Sequence, residues 1–355
     1  SGHVQVVTPL GTGTSFATFT LIVPPTPQTN WVWAKKAGGI NAQIGSGIAV
    51  DASGNSYVTG DFFGSINVGS ISLGAIPGQT GAAATDIFLA KYNSAGEVLW
   101  AKRAGGNWID KGLTIAADAG GNSYVGGFYR GIIPGVPGST TADFDLINLN
   151  GDGGFIAKYN TNGEALWAKK IGARVNAVAA DAQGNIYATG TFIGAETIDG
   201  ITITAGAISP DIFIARFNQN GQCIWLRQAG SAARDNGARD EGTSISFDEN
   251  GNVYLAGEAG DNAAFGTWNL TTKGGFVAKY SPDGQALWVK RAGANRINGI
   301  AADKWGNVMI TGKTTRPAIF DTITIPSFNF AGAYEGRLFV ARFNTSGDAL
   351  WVKMA

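Results

Sequence analysis

The stretch Gly96-Glu-Val-Leu-Trp-Ala-Lys102 ends in the phrase Trp-x-Lys/Arg, which occurs six times along the 355 residues. Successive copies are 67, 67, 58, 63 and 63 residues apart, with their indoles at Trp33, Trp100, Trp167, Trp225, Trp288 and Trp351. A period of this length, made of strand-like segments and glycine-centred turns, is typical of a radial β-repeat. We therefore predict an all-β fold, a β-propeller with five blades of antiparallel strands. The alternative is six blades, one of them built from the N-terminal segment.

Each of the five units contains four predicted strands, and the first unit shows the pattern. A small-residue strand, Gly47-Ile-Ala-Val-Asp51, leads into the turn Asp51-x-x-Gly-Asn55. This turn suits a hairpin because Asp accepts hydrogen bonds from turn amides, while Gly and Asn tolerate positive φ. The second strand is Tyr57-Val-Thr-Gly60, the third is Phe88-Leu-Ala-Lys-Tyr92, and the Trp strand is the fourth and outermost.

Recurrence separates the predicted scaffold from candidate binding residues. Lys or Arg recurs once per unit in the third strand, as at Lys91, and once in the Trp strand, as at Lys102. We interpret these cations as structural, packed along their aliphatic stems or paired with the repeated turn Asp. Residues that break the repeat are where a binding site is expected.

The composition excludes several classes of function. The net charge is zero, which disfavours a nucleic-acid partner, and no apolar run is long enough for membrane insertion. His3 is the sole histidine, so mechanisms that need a histidine pair or triad are not available to this sequence. Cys223 is the sole cysteine and takes a position that holds Val or Ala in other units, which predicts a buried thiol.

The repeated phrases resemble the bacterial β-propeller repeat family called SBBP, common in surface and secreted proteins of the Bacteroidetes. The matching phrases are Asp-x-x-Gly-Asn-x-Tyr-Val-x-Gly, Asp86-Ile-Phe-Leu-Ala-Lys-Tyr-Asn93 and Gly96-Glu-Val-Leu-Trp-Ala-Lys102. The resemblance covers residues 31–355 and extends to Asp143-Phe-Asp145 in the second unit. It implies a propeller fold and an extracellular or bacterial cell-surface location, and it implies no particular activity.

The N-terminal residues are predicted to be a different domain. Residues 1–23 resemble the last two strands of an IPT/TIG immunoglobulin-like domain, and residues 24–30 form a Pro-rich linker. The sequence is thus expected to be a piece of a larger protein. The extra Trp strand, Trp31 to Lys36, precedes the first unit, and we expect it to join the last blade and close the ring.

One end of the propeller should carry the specificity. Loops from the second to the third strand, and from the fourth strand to the next unit, differ between units and share one end. Loops that enter the innermost strands should surround the mouth of the axis, with Trp108 as the strongest candidate. The predicted ligand-binding residues are Asn107, Trp108, Asp110, Arg174, Arg234, Asp235, Arg239, Asp240 and Arg296.

An aromatic ring among Asn, Asp and Arg side chains is suited to a sugar or a peptide. The leading hypothesis is a non-catalytic binding or structural module that recognises protein or glycan at the cell surface. The first alternative is a spacer or assembly domain of a large adhesin or filament, whose partners are neighbouring domains or copies of itself. The second is a carbohydrate-active enzyme that uses carboxylates alone, drawn from Asp61, Asp110, Asp235, Asp240, Glu241 and Glu258.

No metal or cofactor is expected in the leading hypothesis. The segment around Asp143, Asp145 and Asp152 supplies closely spaced oxygen ligands, which makes calcium a minor alternative.

Overall fold

The computed structural model describes residues 5–8, 11–14, 33–76, 84–130, 141–206, 209–231, 239–293, 295–314, 317–326 and 337–354. The chain forms two compact units, Ser1–Lys35 and Lys36–Ala355. In the first unit, β1 (Gln5–Thr8) and β2 (Gly11–Thr14) form an antiparallel pair. A strand pair was predicted here, and its assignment to an IPT/TIG domain stays a prediction. The predicted linker, residues 24–30, lies outside the described residues.

The second unit is built from five similar sets of strands. The first set contains β3 (Ala37–Gly38), β4 (Gln43–Val50), β5 (Ser56–Phe63), β6 (Ser65–Val68), β7 (Ile71–Gly74), β8 (Thr85–Tyr92) and β9 (Val98–Ala104). The second contains β10 (Asp110–Ala117), β11 (Ser123–Tyr129), β12 (Thr141–Phe144), β13 (Ile147–Asn150), β14 (Gly153–Tyr159) and β15 (Ala165–Lys170). The third contains β16 (Arg174–Ala180), β17 (Ile186–Phe192), β18 (Ala195–Ile198), β19 (Ile201–Thr204), β20 (Asp211–Phe217) and β21 (Cys223–Ala229).

The last two sets repeat the same order. The fourth contains β22 (Glu241–Phe247), β23 (Val253–Ala259), β24 (Ala263–Phe265), β25 (Trp268–Leu270), β26 (Gly274–Tyr280) and β27 (Ala286–Arg291). The fifth contains β28 (Ile297–Ala302), β29 (Val308–Thr314), β30 (Ala318–Phe320), β31 (Ile323–Ile325), β32 (Arg337–Phe343) and β33 (Ala349–Met354).

Each set forms one antiparallel blade, which confirms the predicted β-propeller architecture. The four-stranded sheets run β4-β5-β8-β9, β10-β11-β14-β15, β16-β17-β20-β21, β22-β23-β26-β27 and β28-β29-β32-β33. Between the second and third strands of every blade lies a small hairpin that belongs to a separate sheet. The innermost strands of successive blades, from β4 to β28, pack on one another around the axis.

The repeated Asp turn is stabilised as the sequence predicts. The Asp51 carboxylate accepts hydrogen bonds from the amides of Ser53 and Asn55, both at 2.9 Å. The Tyr57 hydroxyl lies 3.0 Å from Asp51 Oδ2, and it donates a 2.7 Å hydrogen bond to the carbonyl of Gly121 in the next blade. The repeated Tyr therefore links the turn of its own blade to the turn of its neighbour.

The repeated Trp and cations join one blade to the next. The Trp100 indole donates a 3.0 Å hydrogen bond to the carbonyl of Thr161 in the following blade. Lys91 donates to the same carbonyl at 3.4 Å, and its ammonium lies 5.0 Å from the ring centre of Tyr57. Equivalent indole bonds join Trp167 to Gln219, Trp225 to Pro282 and Trp288 to Thr345. These contacts support the structural interpretation of the repeated cations.

The cations of the Trp strands also reach the next blade. Lys169 contacts Asp199 at 2.7 Å and Lys290 contacts Asp321 at 3.1 Å, and both Asp residues lie in the small hairpins. Asp199 and Asp321 have φ values of 49° and 53°, in the left-handed region that Asp tolerates in tight turns. Cys223 is 6% exposed, so the prediction of a buried thiol is confirmed.

The expected joining of the extra Trp strand, Trp31 to Lys36, to the last blade stays a prediction, because Trp31 and Val32 lie outside the described residues. The outermost strand of the fifth blade is β33, which pairs with β32 along Ala349–Met354. Residues 33–36 form no strand, and Ala37–Gly38 pair with β6 of the first blade. Adjacent blades pack through their inner strands, but the described residues of the fifth and first blades share no such packing.

Candidate functional site

Two variable positions per blade line the mouth of the axis at the variable end. One follows the repeated Gly of the second strand, and the other opens the innermost strand, so strand pairing places them side by side. We define the mouth as Asp61, Lys111, Phe128, Arg174, Glu241, Glu258 and Arg296. Because the repeat does not fix these residues, the mouth is a surface on which blades differ.

Contacts between blades hold the mouth together. Lys111 forms an ion pair with Asp61 of the preceding blade at 3.2 Å, and Arg296 pairs with Glu241 at 3.3 Å. Asn176 donates a 3.0 Å hydrogen bond to the same Glu241 carboxylate. Side chains on the described part of the rim are thus held by neighbours rather than left to move independently.

Beside the mouth, a cleft of about 620 Å³ opens between the second and third blades. Its walls come from the ends of β11, β15 and β17, the starts of β14, β16 and β18, and the loop before β10. They carry Trp108, Phe128, Tyr129, Arg130, Asp152, Lys170, Arg174, Thr191, Ile193 and Glu196. The cleft thus combines aromatic rings with charged groups of both signs, a composition suited to a polar ligand with a flat apolar face.

Two guanidinium groups flank one aromatic ring in this cleft. The Arg174 guanidinium lies 5.2 Å from the centre of the Phe128 ring, and that of Arg130 lies 5.9 Å from it. Lys170 lies on the same walls, so three cations face two carboxylates, Asp152 and Glu196. This excess of positive charge favours an anionic group on the ligand.

Burial and neighbouring charges shift two pKa values at this end of the propeller. Burial raises the pKa of Glu196 above its usual range, opposed by a backbone hydrogen bond from Gly172 and by the charge of Lys170. Burial lowers the pKa of Arg174. The positive charges of Arg296 and Arg239 lower it further, and the negative charge of Glu241 opposes the shift. Arg174 therefore couples the cleft electrostatically to the charges around the axis.

Asp110 and Asp240 occupy the same position in their units and act as buried loop supports. Asp110 is 1% exposed and accepts a 2.6 Å hydrogen bond from the amide of Gly106. Asp240 is 3% exposed and accepts bonds from the amides of Ser231 and Gly260, at 2.9 and 2.8 Å. Both carboxyl groups are buried and hold their loops in place by accepting hydrogen bonds from loop amides. This role differs from the ligand contact predicted for them.

The other predicted site residues fall into three groups. Trp108 and Arg174 meet in the cleft, and Arg239 and Arg296 are exposed close to the axis, where both act on the charge of Glu258. Asn107 is half-buried and does not line the cleft. Arg234 and Asp235 lie outside the described residues.

The three residues predicted as a minor calcium alternative lie in and beside the hairpin of the second blade. Asp143 pairs through its backbone with Gly105, at 3.0 and 3.1 Å. The Asp145 carboxylate accepts a 2.7 Å hydrogen bond from the amide of Ala165, and Asp152 lines the cleft. Across the described ranges, no group of three or more His, Cys, Asp or Glu residues is placed to hold a metal ion. Calcium binding stays an untested prediction.

Sequence reasoning missed Phe128, Arg130, Lys170 and Glu196. Phe128 occupies the position after the repeated Gly, where the other units have Asp61, Thr191, Glu258 and Lys313. Five different residues in one register position, directly after a fixed Gly, are the signal that could have identified this part of the site. Lys170 and Glu196 come together at the cleft only when the chain folds, and no spacing in the sequence indicates this.

Comparison with known proteins agrees with the repeat architecture. A curated relative, "Uncharacterized WD repeat-containing protein L264" of Acanthamoeba polyphaga mimivirus, is 24% identical over 392 residues. The match covers 91% of this chain and 28% of that relative, so the chain spans about a quarter of the relative's length. Over the described residues, the structure has no helix that could cross a membrane.

Solved structures with similar coordinates are distant in sequence. "Structure of U3-55K" is 9% identical with a TM-score of 0.42, over 86% of this chain and 65% of that one. "Structure of Dos1 propeller" is 8% identical with a TM-score of 0.35, over 89% and 85% of the two chains. The family described as Beta-propeller repeat, SBBP, matches residues 32–61 and 224–262. The chain, a β-propeller by its strand topology, is similar to a WD repeat-containing protein, and two of its segments match the SBBP repeat model.

Proposed function

We propose that this chain is a non-catalytic binding module that recognises an anionic protein or glycan ligand through the cleft. The supporting observation is the pair of guanidinium groups, Arg130 and Arg174, that flank the Phe128 ring in a cleft of about 620 Å³. Arginine forks match carboxylate, sulfate and phosphate groups, while Trp108 adds an aromatic surface for a sugar ring or an apolar side chain. The rigid blades beneath would keep this arrangement in place without a ligand.

Charge arrangement supports an anionic ligand over a neutral one. Arg130, Lys170 and Arg174 outnumber Asp152 and Glu196 on the cleft walls. Burial raises the pKa of Glu196, and the charge of Lys170 opposes that shift. A ligand with a carboxylate or sulfate beside an apolar face would satisfy both parts of the cleft.

The test is affinity capture from a bacterial cell envelope together with a glycan array that contains matched acidic and neutral glycans. We expect Trp108→Ala and Arg174→Ala each to weaken binding of the captured ligand by about 1–3 kcal/mol, as for an interface anchor. Lys304→Ala is the matched control, because Lys304 lies in an Asp turn at the opposite end of the propeller. Equal binding by all three variants, or a preference for neutral glycans, would contradict the proposal.

We propose an extracellular or cell-surface location for this module. Support comes from the resemblance of its repeats to a family common in surface and secreted bacterial proteins, and from the SBBP match over two segments. Fractionation of native cells with an antibody against the chain would test the location. A signal confined to the cytoplasm would contradict it.

A second candidate is a carbohydrate-active enzyme, favoured by two carboxylates in the same cleft. Asp152 and Glu196 both line it, and burial raises the pKa of Glu196, as is found for general acids of glycosidases. The test is release of reducing ends from the acidic glycans that bind, with Glu196→Gln as the control. Binding that is retained without turnover would leave the non-catalytic function as the correct one.

A further inference from the structure

Two buried carboxyl groups, Asp86 and Asp110, lie beside the loop that carries Trp108. Asp86 is 0% exposed at the start of β8, and Asp110 is 1% exposed at the start of β10. A Cβ added to Gly105 of this loop would lie 3.0 Å from Asp86 Oδ1 and 2.8 Å from Asp110 Oδ2. The two carboxyl groups, from the first and second blades, therefore border the same small space.

The hydrogen bonds of the two carboxyl groups leave them only partly satisfied. Asp86 Oδ2 accepts a 2.8 Å hydrogen bond from the amide of Ile76 and a 3.0 Å bond from Arg103. Asp110 Oδ2 accepts a 2.6 Å bond from the amide of Gly106. The Oδ1 atoms of both residues are buried and have no hydrogen-bond partner among the described residues. One guanidinium thus faces two carboxyl groups, and a single proton makes this buried group of charges neutral.

Three other titratable side chains face the pair. Burial raises the pKa of Asp110 to about 7, the charge of Asp86 adds to the shift, and Arg103 opposes it. Burial raises the pKa of Asp86 to about 6, with Arg103 opposing and the charge of Asp143 adding. Tyr129 lies opposite Asp110 between β10 and β11, and burial raises the pKa of its hydroxyl, so it stays neutral. The two carboxyl groups are therefore the members of this cluster that change charge near neutral pH.

The repeat shows that the two positions vary together. The position of Asp86 holds Gly153, Asp211 and Gly274 in the next three blades. The position of Asp110, at the start of each following blade, holds Ala173, Asp240 and Asn295. Asp is thus followed by Asp in two cases, and Gly is followed by an uncharged residue in the other two. The charge of Asp240 also raises the pKa of Asp211, after the larger effect of burial.

Hydrogen bonds that position Trp108 cross the space between the two Asp residues. The amide of Thr85, the residue before Asp86, donates a 2.9 Å hydrogen bond to the Trp108 carbonyl. The hydroxyl of Thr85 donates a 3.3 Å bond to the carbonyl of Asp110. Repulsion between two ionised carboxylates would therefore act on the bonds that join β8 to the Trp108 loop.

We propose that Asp86 and Asp110 are positioning residues for Trp108, and that one proton shared by the two carboxyl groups holds the Trp108 loop in place. When this proton passes to solvent, two buried negative charges face one guanidinium, and their repulsion displaces the loop. This regulation rests on the proposed function of the cleft, because Trp108 supplies its aromatic surface. The cleft should bind its ligand more tightly below the pH range in which the pair ionises than above it.

Fluorine NMR of the full chain labelled with 5-fluorotryptophan tests the proposal without a ligand. The Trp108 resonance, assigned with Trp108→Phe, should shift with pH with a midpoint at about 6 to 7. Asp110→Asn and Asp86→Asn should each keep this resonance at its low-pH position up to about pH 8, because a single carboxylate has no like charge beside it. Asp211→Asn is the matched control and should retain the shift, because this buried carboxyl faces Asp240 in another pair of blades.

A Trp108 resonance that does not change with pH, or that shifts equally in Asp110→Asn and Asp86→Asn, would overturn the proposal. Circular dichroism like that of the unmodified chain would confirm that the variants fold.

Calorimetry with a heparin tetrasaccharide, a sulfated glycan, measures the consequence for binding. Its affinity should fall by about tenfold between about pH 5 and 8, the change that corresponds to one pKa unit, and by less in Asp110→Asn. Equal affinity at both pH values would overturn the regulation. No binding at either pH would contradict the proposed function, while the Trp108 resonance would still decide whether the carboxyl pair positions Trp108.

Discussion

At the scale of single residues, three buried carboxyl groups near the variable end bind protons unusually tightly. Burial raises the pKa of Asp110 to about 7, and the charge of Asp86 adds to the shift. Burial likewise raises the pKa of Asp86 and of Asp211, each to about 6. In an unfolded chain the same groups titrate near 3.8. The folded protein therefore holds protons that the unfolded chain releases.

This difference fixes the sign of a pH effect. Stability from these three groups is fully present below about pH 4 and is lost as pH rises through about 6 to 7. Asp51, Asp199 and Asp303 act in the opposite sense, because their pKa values are lowered. Their contribution is lost only below about pH 4, so the two effects occupy different pH ranges.

We expect Asp110→Asn to increase the free energy of unfolding at pH 8 by on the order of 1–3 kcal/mol, and to reduce its decline between about pH 4 and 7. An amide is tolerated at this position, since Gln43 and Asn295 occupy it in other units. Urea unfolding across this pH range is the measurement. Asp240→Asn is the matched control without an expected gain, because three hydrogen bonds already satisfy the Asp240 carboxylate. Parallel pH profiles of the protein and its Asp110→Asn variant would contradict the assignment.

Trp108 and Trp225 should separate binding from stability. Trp225 is 3% exposed, and its indole donates a 2.9 Å hydrogen bond to the Pro282 carbonyl. Trp225→Ala should therefore cost about 3–5 kcal/mol of unfolding free energy. Trp108→Ala should cost less than about 1 kcal/mol, because that half-buried ring lines an open cleft. Thermal melts of both variants give the comparison, and similar losses would show that Trp108 belongs to the core.

Breaks in the repeat decided which site residues could be identified from the sequence. Trp108 and Arg174 interrupt a repeat, so they were found, and they do meet in the cleft. Asp110 and Asp240 interrupt it too, yet they are buried, because a loop that departs from the repeat also needs its own supports. A break in the repeat therefore marks the region of a site but does not separate contact residues from supporting ones.

At the scale of elements, the turn before each Trp strand depends on glycine for two reasons. Gly221 has a φ of +77°, and a Cβ added there would lie 2.8 Å from the ring of Trp167 in the preceding blade. Gly200 has a similar φ of +83°, but no atom lies within 4 Å of the position of its Cβ. The two glycines therefore share the backbone requirement and differ only in the contact with an indole.

We expect Gly200→Ala to cost about 1–2 kcal/mol of unfolding free energy, from backbone strain alone. Gly221→Ala should cost about 1–3 kcal/mol more, because the methyl group displaces the Trp167 ring from the contact between blades. Chemical denaturation of the two variants measures the difference. Equal losses would show that the Trp167 ring moves aside at no cost, and that this contact contributes little to the packing of the blades.

The four main strands of each blade were predicted more completely than the segments between them. The four strands of each blade follow from alternation and from turn residues. The small hairpins between the second and third strands lie in the variable loops, where no repeated phrase marks them. Ring closure stays a prediction, since sequence repeats count blades but do not fix the angle between them.

At the scale of the whole molecule, stability should vary along the series of five blades. Blades two to four each pack on two neighbours, while the first and fifth expose one apolar face. In arrays of this kind, stability is close to a sum of terms for each repeat and each contact between neighbours. The end blades lack one such term, so they should open more readily than the centre.

Hydrogen exchange followed by mass spectrometry should show this gradient. At low protein concentration, amides in β4 and β28 should exchange faster than those in β16, because opening an end blade breaks one contact between blades and opening a central blade breaks two. Uniform exchange along the five blades would show that the first and fifth blades are as stable as the central ones.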